Sequence, residues 1–273
     1  MIAADVTLCL NPAYGWKSIS GMHCRDHGSV GKALVACAVK ADFSAKVKVI
    51  LENADDFSGG IFESDAYVLA WADHIRSYPV YYAQQGCRLI IGNDARMVKE
   101  AAGLEEPDLD AAVEFVMSGY VTGVCTLYIG LKCLQPGEFL LWDKKKFKLS
   151  LTRYHRYAPQ PQKLGTIEEY ADRLDEILNN ITQKIIDRYD GRTFAFPLSA
   201  GLDSRLLLCK FHELGYKNIT TFTYGPSFNF ESKYAKKIAA RLGVPWRFIR
   251  ISARQQRRYF ESQQRKAYWD YAD

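Results

Sequence analysis

Residues 194–211 read FAFPLSAGLDSRLLLCKF. An apolar run ends at Ser199, a small polar turn follows, and an apolar helix pattern begins at once. The turn holds Ser199, Gly201, Asp203 and Ser204 within six residues. Such a corner is either an ordinary strand-to-helix turn, with Asp203 or Ser204 as the helix N-cap, or a cradle for an anion. The segments around it decide what sheet it belongs to.

Downstream the pattern alternates. RTFAFPL (192–198) reads as a strand and SRLLLCKFHELGY (204–216) as a helix stopped at Gly215. NITTFTY (218–224) is a second strand, ESKYAKKIAARLG (231–243) a helix ending at Gly243, and WRFIRIS (246–252) a third strand. The order β-α-β-α-β predicts a parallel sheet with right-handed crossovers. Upstream, IEEYADRLDEILNNITQKIIDRY (167–189) has the apolar spacing of an amphipathic helix. Before it YAPQPQKLGT (157–166), rich in Pro and Gln, reads as a linker.

The first 155 residues read mainly as short strands joined by turns. KVKVILEN (46–53), GIFESDAYVLAWAD (60–73), YPVYYAQQ (78–85) and CRLIIGND (87–94) carry β-branched and aromatic residues between Gly, Asn and Asp breaks. A helix is expected over 108–118, with Asp108 as cap and Leu109, Ala112, Val113 and Val116 as its buried stripe. PGEFLLWDKKKFKLSLTRYH (136–155) reads as a hairpin with Lys144 to Lys146 exposed near its turn.

The composition is that of a core-forming globular chain: 273 residues, 48% hydrophobic, 25% charged, net charge +5. Much of the excess charge comes from RQQRRYFESQQRK (254–266), which reads as a solvated helix face, so no nucleic-acid partner is expected. Seven cysteines (Cys9, Cys24, Cys37, Cys87, Cys125, Cys133, Cys209) make no C-x-x-C pair, and the five histidines are scattered. A disulfide framework, a zinc site and an oxidising compartment are therefore not expected. The N-terminus MIAADVTLCLNPAYG lacks the layout of a signal peptide, and no window reaches the ~18 apolar residues of a membrane span. The reading is a cytoplasmic protein with no membrane partner.

In an open parallel sheet, ligands bind at the carboxyl ends of the strands, over helix N-termini. There Gly201 would allow a tight turn and close approach of an oxyanion. Unpaired N–H groups and the helix dipole would favour an anion. Ser199 and Ser204 add hydroxyl donors, and Asp203 could hold Mg²⁺ on a phosphate. Neither a Walker loop, G-x-x-x-x-G-K-[ST], nor G-x-G-x-x-G occurs.

PLSAGLDSRLLL resembles the S-G-G-x-D-S loop of the ATP-pyrophosphatases, which cleave ATP between its α and β phosphates. FTYGPSFNFESKYAKKIAARLG is similar to the asparagine synthetase version of the following strand and helix. DAYVLAWADHIRSYPVYYAQQGCRLIIGNDARMV (65–98) resembles the later part of that family's glutaminase domain, and TLYIGLKCLQPGEFLL (126–141) the segment leading to its synthetase domain. The D-H-I-R-S-Y-P form looks like members associated with bacterial surface-polysaccharide clusters. The resemblance implies an α+β N-terminal nucleophile-hydrolase-like domain, degenerate, over 1–156. It further implies a linker over 157–166 and a partial α/β parallel-sheet domain, adenine nucleotide alpha hydrolase-like, over 167–273.

By that resemblance the second domain would bind ATP and Mg²⁺, join a carboxylate to AMP, and let ammonia displace AMP to give an amide. Ser199, Ala200, Gly201, Leu202, Asp203 and Ser204 would form the pyrophosphate loop, with Asp203 on magnesium. Leu198 and Tyr224 would border the adenosine, and Gly225 would belong to the same nucleotide site. Glu231 is either a ligand or simply the acid that complements a helix start. Arg205 either reaches a phosphate or lies in solvent. No catalytic residue is assigned. The expected partners are a small carboxylate (aspartate or a sugar acid), ammonia or a separate glutaminase, and a second copy of the chain in a homodimer.

Four departures from the family pattern matter. A glutaminase needs a free N-terminal cysteine, whereas Met1 is followed by Ile2, a bulky residue that disfavours methionine removal, and Cys9 is internal. The expectation is that glutaminase chemistry is absent. The family's R-D-x-x-G-x-x-P reads A-D-H-I-R-S-Y-P, with Ala72 for arginine and Arg76 for glycine, and Asp73 is expected to persist as a structural acid. Ala200 stands where a glycine is usual, at a cost only if its φ is positive. The second loop, S-G-E-G-x-D-E, and the later lysine are missing, and FAFPL would form an apolar sheet edge, so a truncated chain or fragment is expected. The competing reading is a non-catalytic nucleotide-binding or scaffold protein. A third, a tRNA-thiolating relative, needs a nucleophilic cysteine near the nucleotide, and Cys209 reads as core.

Overall fold

A computed structural model describes residues 5–19, 22–24, 33–34, 43–54, 57–159, 165–227, 229–263 and 265. The chain divides into two units, residues 1–159 and 160–272. Among the described residues no helix is long and apolar enough to cross a membrane.

In the first unit β5 (Tyr67–Ala72, YVLAWA) is the centre. Val68 to Ala72 are all 1% exposed or less, so the strand is a continuous apolar run with both faces buried. It belongs to a six-stranded antiparallel sheet of β10 (Lys148–Arg153), β9 (Glu138–Asp143), β5, β4 (Gly59–Glu63), β3 (Met22–Cys24) and β2 (Lys17–Ile19), in that order. A second sheet runs β1 (Asp5–Cys9), β7 (Arg88–Gly92), β6 (Tyr81–Gln85) and β8 (Lys132–Cys133), with β1 and β7 parallel.

The pleat sorts the side chains. Val68, Ala70, Ile61, Leu140 and Trp142 meet Tyr82, Leu89, Ile91 and Leu134 of the other sheet. Leu69, Trp71, Phe62 and Phe139 face Val47 and Leu51 of helix α1 (Phe43–Glu52). On the far side Ile90 and Ala83 meet Val98 and Ala102 of α2 (Ala95–Ala102). The layers therefore run α-β-β-α. Gly60 is set by this packing, since a Cβ there would lie 2.3 Å from the Trp71 ring.

Two expectations are corrected. Residues 46–52 lie in α1 rather than a strand, and Asn53 follows in a turn. Val47, Ile50, Leu51 and Ala54 fall at helical spacing and pack on the sheet, while Val49 is 57% exposed. β-Branched residues gave it the look of a strand, but the 3.6 period decides. Helix α3 (Leu109–Ser118) is capped by Asp108 as expected, yet its apolar stripe is not buried. Leu109, Val113 and Val116 are 72%, 59% and 84% exposed, and Ala111 is the residue that packs inward.

Asp73 organises the turn after β5. Its carboxylate accepts from the N–H groups of Ser58 (2.8 Å), Ile75 (3.1 Å) and Ser77 (3.0 Å). Its carbonyl accepts from Gly137 N–H at 2.8 Å. Three residues on, Arg76 has φ 57°, the left-handed region that suits glycine. The backbone thus keeps a glycine conformation with an arginine in it, and Arg76 Nη1 donates to Cys133 Sγ at 3.6 Å. Arg76→Gly is expected to raise stability by about 0.5–1 kcal/mol in denaturant unfolding, relief of strain outweighing the weak sulfur contact and the added unfolded-state entropy. A loss of stability would show that the sulfur contact dominates.

In the second unit α4 (Ile167–Arg188) starts at a Thr166–Glu169 capping box. Then come β11 (Phe194–Pro197), α5 (Leu202–Glu213), β12 (Ile219–Gly225), α6 (Phe230–Leu242), β13 (Trp246–Arg250) and α7 (Ala253–Phe260). The strands form a parallel sheet in the order β11-β12-β13. Phe194, Phe196, Leu198 and Ile219 share one face, packed on Leu208 and Phe211 of α5 and Ala235 and Ala239 of α6. β11 is an edge strand, and its Pro197 has no N–H to leave unpaired there. Lys210, buried on α5, donates to Asp175 of α4 and to Glu213 (2.9 Å). That pairing holds the Lys210 ammonium above and the Asp175 carboxyl below their usual ranges.

Candidate functional site

The carboxyl ends of β11 and β12 carry the loop with which the sequence reading began. The ladder continues one residue past β11: Leu198 N–H donates to Phe222 O at 2.8 Å, and Thr223 Oγ1 donates to Leu198 O at 2.7 Å. The Leu198 side chain is 1% exposed and sits in the core. It fixes the strand end; it does not line a surface site. Beyond it the chain folds on its own hydroxyls. Ser199 N–H donates to Ser204 Oγ (3.2 Å), Gly201 N–H donates to Ser199 Oγ (3.0 Å), and the two hydroxyl oxygens lie 3.2 Å apart.

Helix α5 begins at Leu202, with Gly201 as N-cap and no side-chain cap hydrogen bond. Asp203 and Ser204 are thus not the caps that the ordinary-turn reading would make them; they lie inside the first turn, because the two serines have already closed the loop one residue earlier. The N–H groups of that first turn have no intrahelical acceptor. Helices α2, α3, α4, α6 and α7 are each capped by a side chain: Asp94, Asp108, Thr166, Asn229 and Ser252. The start of α5 instead leaves its donors and the positive end of its dipole to whatever occupies the strand ends.

Two further expectations are refined. Gly201 has φ −68° and ψ 167°, a conformation open to any residue, so the turn itself does not demand glycine. What glycine leaves there is space: a Cβ would meet Ser199 Oγ at 3.1 Å. Ala200 is not among the positive-φ residues, so its methyl adds no backbone strain.

The remaining candidates are spread along the same edge. Tyr224 is 60% exposed and stacks on Phe222, with ring centroids 6.5 Å apart. It alternates with Thr223, which neighbours Leu198, so Leu198 and Tyr224 lie on opposite faces of the sheet and their side chains are not brought together. Gly225 pairs in register with Arg250, and Ile251 N–H donates to its carbonyl at 2.8 Å. Glu231 is exposed in the first turn of α6, which Asn229 caps, and makes no hydrogen bond or ion pair with the Ser199–Ser204 loop. Arg205 is half-buried and makes no ion pair among the described residues.

Arg250 was not singled out from the sequence. It ends the third parallel strand beside Gly225, and that position is the signal that could have found it. Asp203 is exposed and is the one carboxylate of the loop. A Mg²⁺ bridging phosphate oxygens needs only one or two protein carboxylates, so this donor set fits it. Among the described residues no three His, Cys, Asp or Glu side chains cluster as a metal site. In the first unit Cys9 is buried, and burial, with the Asp94 charge adding to it, pushes its thiol up.

The model of the asparagine synthase family matches residues 189–265. No curated protein matches the sequence. Among solved structures, the NH3-dependent NAD synthetase from Campylobacter jejuni subsp. jejuni NCTC 11168, in complex with the nitrate ion, is 16% identical over 34% of this chain, with a TM-score of 0.29. This chain spans 41% of its length. The glutamine phosphoribosylpyrophosphate amidotransferase from B. subtilis, complexed with ADP and GMP, is 10% identical over 85% of this chain and 71% of its own, with a TM-score of 0.33. The residues that match the asparagine synthase family model, 189–265, hold the Ser199–Ser204 loop and the whole parallel sheet.

Proposed function

We propose that the second unit is the ATP site of an amide-forming ligase. The observation that carries the reading is the uncapped start of α5 at the carboxyl end of a parallel sheet, inside the family match. In this reading the first-turn N–H groups, with Ser199 and Ser204, hold the pyrophosphate portion of ATP. Arg205, in the first turn of α5, and Arg250, at the end of β13, add positive charge in this reading. A carboxylate oxygen attacks the α-phosphorus and pyrophosphate leaves; ammonia then attacks the acyl carbon and AMP leaves. Mg²⁺ on Asp203 would offset the charge that develops on the leaving pyrophosphate.

The acceptor in this proposal is aspartate or a sugar acid. In this proposal ammonia comes from solution or from a separate glutaminase; Cys9 is buried, and burial pushes its thiol up. The first unit serves as a degenerate glutaminase-like scaffold built around Asp73.

Titration calorimetry tests the site. ATP is expected to bind several-fold tighter with Mg²⁺ than without it, and Asp203→Asn is expected to remove most of that difference while leaving adenosine binding unchanged. Mg²⁺ dependence that survives the substitution would sink the assignment. Carboxylate-¹⁸O acceptors then separate a ligase from a non-catalytic binder: label transferred to AMP requires an acyl-adenylate, and its absence across acceptors rules the chemistry out.

A further inference from the structure

Helix α3 is turned inside out. It buries Ala111, while Leu109, Val113, Val116 and Met117 are exposed, the last two 84% and 83%. These four recur at helical spacing and share one side of α3, the arrangement with which one helix packs along another. The stripe is held firmly in place. Asp108 caps the start of α3 and Gly119 closes its end in the left-handed region. Asp108 N–H donates to Leu127 O and Ile129 N–H to Glu106 O, both at 3.0 Å. An ordered helix that buries an alanine and displays its large apolar side chains marks an interaction face.

The charges choose the occupant. From Glu100 to Leu131 the chain carries no lysine, arginine or histidine, although basic residues exceed acidic ones over the whole sequence. The same stretch holds Glu105, Glu106, Asp110 and Glu114. At the helical rotation per residue, Asp110 and Glu114 fall on one flank of the stripe, and Glu105 and Glu106 precede it. Thr122 Oγ1 donates to Glu114, whereas Glu105, Glu106 and Asp110 form no ion pair among the described residues. This flank repels an anionic lipid surface. A second copy would bring only more carboxylates, since its α3 has no cation either. A helix with an apolar face and a basic flank meets both features, the stripe by burial and the carboxylates by attraction. We propose that α3 docks a cationic amphipathic helix of another protein. Leu109, Val113, Val116 and Met117 seat its apolar face, and Asp110, Glu105 and Glu106 face its lysines or arginines. This inference does not depend on the nucleotide reading.

Fluorescence anisotropy of dye-labelled peptides with the full 273-residue chain tests it. The probe is a designed helical Leu/Lys peptide with one apolar and one basic face; its Leu/Glu twin is the control. The Leu/Lys peptide is expected to bind at least tenfold tighter than the twin. The double variant Val116→Ser, Met117→Ser is expected to weaken that binding at least tenfold; both side chains are exposed, so circular dichroism and melting stay unchanged. The triple variant Glu105→Gln, Glu106→Gln, Asp110→Asn is expected to weaken it several-fold and to flatten its salt dependence. Leu174→Ser, Ile177→Ser, on the exposed and acidic start of α4, is expected to leave it unchanged. Binding indifferent to the stripe variant, lost only in the α4 variant, or equal for the Leu/Glu twin would overturn the proposal. Binding of the chain to phosphatidylglycerol vesicles that the stripe variant abolishes would put a lipid surface in the partner's place. A dimer that the stripe variant dissociates would put a second copy there.

Discussion

Asp73→Ala is expected to cost the first unit about 3–4 kcal/mol, read as a lowered midpoint in denaturant unfolding with an unchanged slope. Asp73 is 6% exposed, and its carboxylate accepts from three main-chain N–H groups, those of Ser58, Ile75 and Ser77. Alanine fills none of those positions, and the donors are left where water reaches them poorly. Bonds to an ionised acceptor stabilise more than neutral ones, so three of them outweigh the modest gain from no longer burying a charge. Asp73→Asn keeps an oxygen and adds an unwanted donor, and about half the loss is expected. A cost below ~1 kcal/mol for alanine would mean that the turn is held by other contacts, such as the Gly137 N–H bond to the Asp73 carbonyl.

How far such features can be read from the sequence depends on whether the signal is local. Gly243 ends α6 with φ 66° and Gly215 follows α5 with φ 79°, so the glycines that punctuated the βαβαβ reading are the ones that stop its helices. A glycine in the left-handed region is a local requirement and shows in the sequence. Burial is not local. Leu109, Val113 and Val116 have the spacing of a buried stripe, but spacing says only that they share a face, not that anything covers it. Residues 46–53 failed differently: Val47, Val49 and Ile50 are β-branched, and propensity masked a helical period that Val47, Ile50, Leu51 and Ala54 do carry. Helix α2 and strand β1 were not marked at all. β1 finds its pairing partner in β7 some eighty residues away, and no short window records that.

The candidate site divides the same way. The small residues of Ser199–Ser204 are legible because their types and order are unusual together. The uncapped helix start is not, because Asp203 and Ser204 are both good caps by residue type. Only the hydroxyl contacts between Ser199 and Ser204 show that the loop closes early and leaves the first turn open.

That distinction sets the expectation for Gly201→Val. If glycine were needed for its backbone, the variant would be destabilised. Here φ −68° and ψ 167° lie in the extended region that valine favours, so the cost in unfolding is expected to stay within ~1 kcal/mol. The nearest obstacle to the new Cβ is Ser199 Oγ at 3.1 Å, a contact that a few tenths of an ångström relieve. Function is expected to answer differently. On the proposed reading a phosphate must lie against the first-turn N–H groups at close to 3 Å, and two methyl groups on the cap residue stand in that approach. ATP and pyrophosphate are expected to bind about a hundredfold more weakly, ~2.8 kcal/mol, while adenosine, which lacks the phosphates, binds as before. Calorimetry with the three ligands separates the cases. Equal loss for all three would mean a distorted sheet edge, and no loss for any would place the anion elsewhere, leaving the open start of α5 without the role proposed for it.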